Sequence, residues 1–178
     1  MYERTGAHFV ADILLSAIKL RQIIARVDSA QQLAADYVLF DATIRELQIV
    51  GDATNTLIKA GIVDRSYQIV VDFRNKITHE YFGINIDVVW DVVATEIPDF
   101  IKHIEVVVLP GKIEKGDLID ALECAINDCE KVRQIEIGNK LHEYADSVRK
   151  NANTSLTDNW PHYVNCHGSK APHLGTCP

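Results

Sequence analysis

The densest run of chemically capable side chains is DFRNKITHEYFG, residues 72–83, which carries Arg74, Asn75, His79 and Tyr81. Arginine presents a permanently charged planar fork that matches a phosphate, and histidine titrates near neutral pH. Together they are the minimum for moving a phosphodiester without a metal. The cation stabilises the charge that develops in the transition state, and the imidazole shuttles a proton. On a helix, Arg74 and Tyr81 are seven residues apart and nearly share a face, whereas His79 is offset from Arg74 by roughly 140°. The same residues also admit a plain structural role. Arg74 would then pair with Asp72 or Glu80 on a solvated face, and His79 would sit at a helix C-terminus where the dipole favours it. Spacing alone leaves both readings open.

The elements that must hold this run are helical. Phe9, Ile13, Ala17, Leu20 and Ile24 mark one face of a first helix ending near Val27. Ser29 and Gln32 form a capping-box pair at the start of a second helix, whose rhythm runs to about Ala60 before Gly61 stops it. Gly51 inside that helix costs about 1 kcal/mol against alanine, which implies close approach by a neighbour. A third helix spans about Asp64 to Phe82, with Gly83 as its terminator. Asn85 is a candidate N-cap for a fourth, reaching to about Leu109, in which Pro98 should cause a kink or a division. Ile86, Val89, Trp90 and Val93 are spaced for a helix, despite the β-branched content of this stretch. Pro110-Gly111 breaks the chain. A fifth helix begins at Asp117, and its seam resumes after a phase slip beside Gly138. From Asn151 the periodicity ceases. The expected organisation is therefore all-α: an up-and-down bundle over residues 1–110, an additional helix over 111–150 packing on it, and an irregular tail over 151–178.

Composition narrows the function classes. The 178 residues are 47% hydrophobic and 24% charged, ordinary for a globular chain. No apolar run approaches the roughly 18 residues of a membrane-spanning helix, and the first residues lack the pattern of a signal peptide, so a cytoplasmic location is expected. Twenty-five acidic residues against 18 Lys and Arg give a net charge of −7, so any contact with RNA must use a local positive cluster. The four cysteines read as free thiols. His162, Cys166, His167, His173 and Cys177 match no common zinc spacing, and no Gly-rich phosphate loop or paired-carboxylate motif occurs. No metal and no cofactor is expected. His8, His103 and His142 are isolated and read as structural or surface residues, and Trp90 as a core or interface anchor.

Several segments, taken in order, resemble one family. RNKITHEYFGINIDVVW is similar to the signature of the HEPN superfamily, specifically its HepT-like toxins, whose pattern is Arg, four residues, His, any residue, Tyr. DATIRELQIVGDA resembles that family's second-helix segment, and FVADILLSAIKL its first helix. The likeness covers about residues 9 to 109. Gln48 stands where an acid is common, and Asp52 replaces the usual Glu.

The resemblance implies a metal-independent endoribonuclease toxin, a homodimer of helical bundles whose two motifs face each other. It also implies a minimal nucleotidyltransferase antitoxin that neutralises the toxin by AMPylation. Carried over by position, Arg74 and His79 would be catalytic, Asn75 a polar support, Tyr81 the AMPylation site, and Asp52 a group facing the motif. The third and fourth helices, with Val88, Val89 and Trp90, would supply most of the dimer interface. Two other classes stay open: a HEPN module that binds nucleotide or partner without cleaving, and a helical dimerisation scaffold.

Overall fold

A computed structural model describes residues 4–79 and 83–150. Tyr81 and the tail from Asn151, with Trp160, Tyr163 and the tail's His and Cys residues, lie outside the described residues. Every regular element among the described residues is helical, as the periodicity requires.

Helix α1 (Gly6–Ile24) is the centre. The face read from sequence is buried at Ile13, Ala17, Leu20 and Ile24, but Val10, Leu14 and Ile18 are buried as well. The buried face is therefore wide, and only a narrow stripe with Asp12, Lys19 and Gln22 stays partly exposed. The helix packs against α3 on one side and against the C-terminal helices and the 97–103 segment on the others. His8 serves its N-terminus, where the Thr5 N–H donates to His8 Nδ1 at 3.2 Å.

The single helix expected between Ser29 and Ala60 is two. Helix α2 (Ala30–Ala35) starts as read, with Ser29 Oγ accepting from the Gln32 N–H. It ends at Asp36, which leaves helical geometry at φ −100° and ψ 95° and caps α3 (Tyr37–Lys59). The Asp36 carboxylate accepts from the N–H groups of Val38 and Leu39 at 3.0 and 3.1 Å. Two otherwise orphaned donors are thereby satisfied, so the chain restarts a helix in a new direction at little cost. Gly61, at φ 70°, ends α3 as expected.

A single 3₁₀ turn (Arg65–Tyr67) leads into α4 (Gln68–His79), and Asn85 caps the following helix by accepting from the Asp87 N–H at 2.9 Å. That helix is a rod of three α segments, α5 (Ile86–Asp91), α6 (Ile97–His103) and α7 (Leu109–Gly111). Two π turns, Val92–Glu96 and Ile104–Val108, join them. The interruption expected at Pro98 is a change of helix type: Pro98 is the second residue of α6, directly after the first π turn. Each π turn is followed at once by a residue and then a proline, Ile97-Pro98 and Leu109-Pro110. The Ile97 N–H reaches back to the Val92 carbonyl, and the Leu109 N–H to that of Ile104. Widening the turn to a five-residue step makes room for a ring that would otherwise crowd the preceding turn.

The seam after Asp117 is two helices, α8 (Lys115–Lys131) and α9 (Ile135–Lys150), folded back as a hairpin. The break lies at Val132–Gln134, upstream of the phase slip at Gly138. The Gln134 N–H donates to the Cys129 carbonyl at 2.8 Å and the Arg133 N–H to that of Glu130 at 3.0 Å, with Arg133 at φ 60°. This is a Schellman stop whose left-handed position, usually glycine, is filled by arginine. Leu118, Leu122, Leu141 and Tyr144 join α1 and the rod in one apolar core. Buried Tyr144 donates its hydroxyl to buried Glu105, which ties α9 to the second π turn. His103 lies against the Tyr67 ring with centroids 4.5 Å apart, His142 is exposed, and Trp90 packs half-buried against Ile23, Val27 and Leu33. Cys124 is exposed and Cys129 buried, both as free thiols. Among the described residues, no helix is long and apolar enough to cross a membrane.

An L-residue in the left-handed region carries a steric penalty that glycine does not. Arg133→Gly should therefore raise stability by on the order of 0.5–1 kcal/mol. Arg133→Ala, which keeps the Cβ, should leave it nearly unchanged. Urea midpoints of the two variants check this.

Candidate functional site

Helices α3 and α4 pack side by side, and Gly51 is their point of closest approach to the motif. A Cβ added at Gly51 would stand 2.2 Å from Arg74 Cβ and 2.6 Å from Arg74 Cγ. The stem of Arg74 thus occupies the space that any other residue at 51 would take. The buried residues Val71, Phe73 and Ile77 fix the rotation of α4 about its axis. That rotation turns Arg74 toward α3 and leaves Asn75, Thr78 and His79 outward.

The guanidinium is held on two edges. Arg74 Nε lies 2.7 Å from Asp52 Oδ1, an ion pair without the alignment of a hydrogen bond. Arg74 Nη1 donates to Asn75 Oδ1 at 3.1 Å. Its side chain remains 30% exposed, so the cation is oriented yet reachable. Among the described residues Nη2 has no partner, which leaves one arm of the fork open for an anion. The local pairing with Asp72 is not made. Asp72 instead accepts from Gln68 Nε2 at 3.1 Å.

Arg74, Asn75 and Asp52 are therefore brought together as the sequence suggested. His79 is the last residue of α4, exposed, and has no hydrogen bond or ion pair among the described residues. Within one chain it does not meet Arg74. Thr78 went unnoticed in the sequence. Its hydroxyl donates to the Arg74 carbonyl at 2.9 Å, one turn back, a spacing legible in the sequence once the helix is granted. Arg65 precedes α4, at the opposite end of that helix from His79. Among the described residues, no three His, Cys, Asp or Glu side chains gather as metal ligands.

The all-α bundle thus presents an oriented, partly exposed Arg74 on the helix that His79 ends. The family model described as Ribonuclease HepT-like matches residues 13–107, more than half of the chain, and the chain belongs to that family. A protein named "Putative RNase" in Methanocaldococcus jannaschii is 34% identical over 71 residues, covering 38% of this chain and 58% of that protein. Another with that name, in Caldanaerobacter subterraneus subsp. tengcongensis, is 32% identical over 80 residues, 43% of this chain and 71% of the relative. "Probable ribonuclease HepT" of Thermococcus cleftensis is 28% identical over 116 residues, 64% of this chain and 96% of that protein. No solved structure matches.

The contact at Gly51 yields a direct test. Gly51→Ala must push Arg74 off its seat, so it should cost about 1–3 kcal/mol, the scale of overpacking a close helix contact. Gly51→Ser should cost at least as much, and a urea titration of each variant measures it.

Proposed function

We propose that the protein is an endoribonuclease toxin that cleaves RNA by attack of the ribose 2′-hydroxyl, with no metal required. The observation that carries this reading is the guanidinium of Arg74, fixed by Asp52 and Asn75 yet left with an open arm. Such a group can hold the non-bridging oxygens of a phosphodiester as charge develops on them. His79 takes the proton from the 2′-hydroxyl as that oxygen attacks phosphorus. The bond from phosphorus to the 5′-oxygen breaks, and that oxygen takes up a proton from a second acid. The products are a 2′,3′-cyclic phosphate and a 5′-hydroxyl. A histidine base and a permanent cation supply what a metal ion supplies elsewhere.

The working unit in this reading is a homodimer, joined chiefly through α4 and the rod. Ile69 is 41% exposed at the mouth of a shallow apolar crevice walled by Phe73, Val92 and Ile97. A second copy seated there would cover it, and the two motifs would converge on one groove. Because His79 does not meet the Arg74 of its own chain, a composite site would give each Arg74 a histidine. Convergence of two copies of Arg74 and Lys76 also offers a local positive cluster in a chain of net charge −7.

Regulation in the same reading is AMPylation of Tyr81 by a minimal nucleotidyltransferase antitoxin. AMP at that position would fill the groove and add negative charge beside Arg74. Tyr81 lies two residues beyond the end of α4, close in sequence to the residues it would silence.

Two measurements test these assignments. Arg74→Ala and His79→Ala should each lower RNA cleavage by about two or more orders of magnitude, while EDTA leaves the wild-type rate unchanged. Cleavage that EDTA abolishes, or that leaves 5′-phosphates, overturns the chemistry. Intact-mass analysis after incubation with the cognate nucleotidyltransferase and ATP should show an AMP adduct on the wild type and none on Tyr81→Phe. An adduct on the Phe variant moves the modification elsewhere.

A further inference from the structure

A cleft of about 330 Å³ lies between α1 and α3, at the lower end of the roughly 300–1,000 Å³ that small-molecule sites occupy. Arg4, Asp12 and Lys19 line it from the α1 side, and Arg45, Glu46 and Asp52 from α3. Asp52 is shared: the residue whose carboxylate pairs with Arg74 also lines the cleft. The cleft therefore opens directly beside the candidate site.

Its charges are unevenly satisfied. Arg4 Nη2 pairs with Asp12 Oδ2 at 2.5 Å, and Lys19 Nζ with Glu46 Oε1 at 3.1 Å. Glu46 is only 9% exposed, and its Oε2 is buried with no hydrogen-bond partner among the described residues. That oxygen is closed off from the open space of the cleft, and the contact with Lys19 is what fixes the carboxylate. Arg45 is exposed and has no hydrogen bond or ion pair among the described residues, so the cleft offers one unspent cation. At the other end Phe9 lies half-buried with the Arg4 guanidinium 4.7 Å over its ring. Aromatic and guanidinium planes are surfaces on which unstacked bases rest.

Arg45 and Asp52 are seven residues apart on α3, within about 20° of one face and about 10 Å along the axis. If Arg74 holds the scissile phosphate, Arg45 stands within reach of the phosphate of a neighbouring nucleotide on the same strand. We infer that the α1–α3 cleft is a subsite for a nucleotide flanking the scissile phosphate of single-stranded RNA, with Arg45 as its phosphate-binding cation. The Lys19–Glu46 pair forms part of its polar lining. The inference rests on the ribonuclease reading and adds the path of the strand, which runs along α1 and α3.

The test separates the two. His79→Ala protein, silent in cleavage, is titrated with a fluorescent single-stranded RNA 12-mer across a salt series, with and without Arg45→Gln. Arg45→Gln should weaken binding about ten-fold and lower the salt slope by about 0.7, the value of one phosphate contact on a single strand. Lys102→Gln on α6, the same charge change outside the cleft, should leave both nearly unchanged. In otherwise wild-type protein, Arg45→Gln should raise KM for the 12-mer and leave cleavage of a dinucleoside monophosphate, which has no flanking phosphate, unaltered. Unchanged affinity and slope for Arg45→Gln overturn the subsite, as does equal loss on the dinucleoside. RNA binding that depends on Arg45 in a wild-type protein that cleaves nothing keeps the subsite and overturns the ribonuclease reading.

Discussion

The approach of α4 to α3 at Gly51 is the constraint from which the candidate site follows. A backbone without a Cβ lets the Arg74 stem lie against α3, where Asp52 at the next position pairs with the guanidinium. The ion pair is partly exposed and contributes little to stability by itself. Its effect is orientational: a long, rotamer-rich side chain is held in one direction before any anion arrives, so less entropy is lost when one binds.

Around that contact the bundle is built outward from α1. A helix with so wide an apolar face persists in water only when neighbours cover most of it, and α3, the rod and the α8–α9 hairpin do so. The hairpin is consequently joined to the same apolar core as the helices that carry the motif, and Tyr144 meets Glu105 inside it. Charge is distributed in keeping with this. Acidic residues such as Asp117, Asp120 and Glu123 are on the α8 helix, whereas Arg74 and Lys76 are on α4.

Much of this was legible in the sequence because it rests on local rules. The helical rhythm gave the fold class, Ser29 and Asn85 announced their helices, and a lone mid-helix glycine pointed to a close neighbour. Arg74 and Asn75 are neighbours in the motif, and the hydrogen bond between them follows from that adjacency. What escaped notice depends on competition between local rules, or on tertiary pairing. Asp36 falls in step with the surface positions of a long helix, and only its capping bonds reveal a break. Arg133 holds a position where glycine is the usual signal, so the stop after α8 carried no mark. The π turns have no compositional signature beyond the prolines that follow them. Arg45 and Glu46 carry no role in the sequence beyond their place in DATIRELQIVGDA, because a cleft between α1 and α3 exists only once the two helices are side by side.

The rod's paired π turns have a consequence for how this protein can vary. Each adds one residue to what would otherwise be an uninterrupted α-helix, so each acts as a phase correction along the rod. Deleting one residue from Val92–Glu96 would close the wide turn to an ordinary α turn, because the N–H to carbonyl step there spans five residues where an α-helix spans four. Phe100, Ile101 and Ile104 would keep their places against the core. The same deletion in the α segment between the two π turns would instead rotate everything downstream by about 100° about the rod axis. The loss of one residue is therefore absorbed at the π turns and felt at every later position elsewhere along the rod.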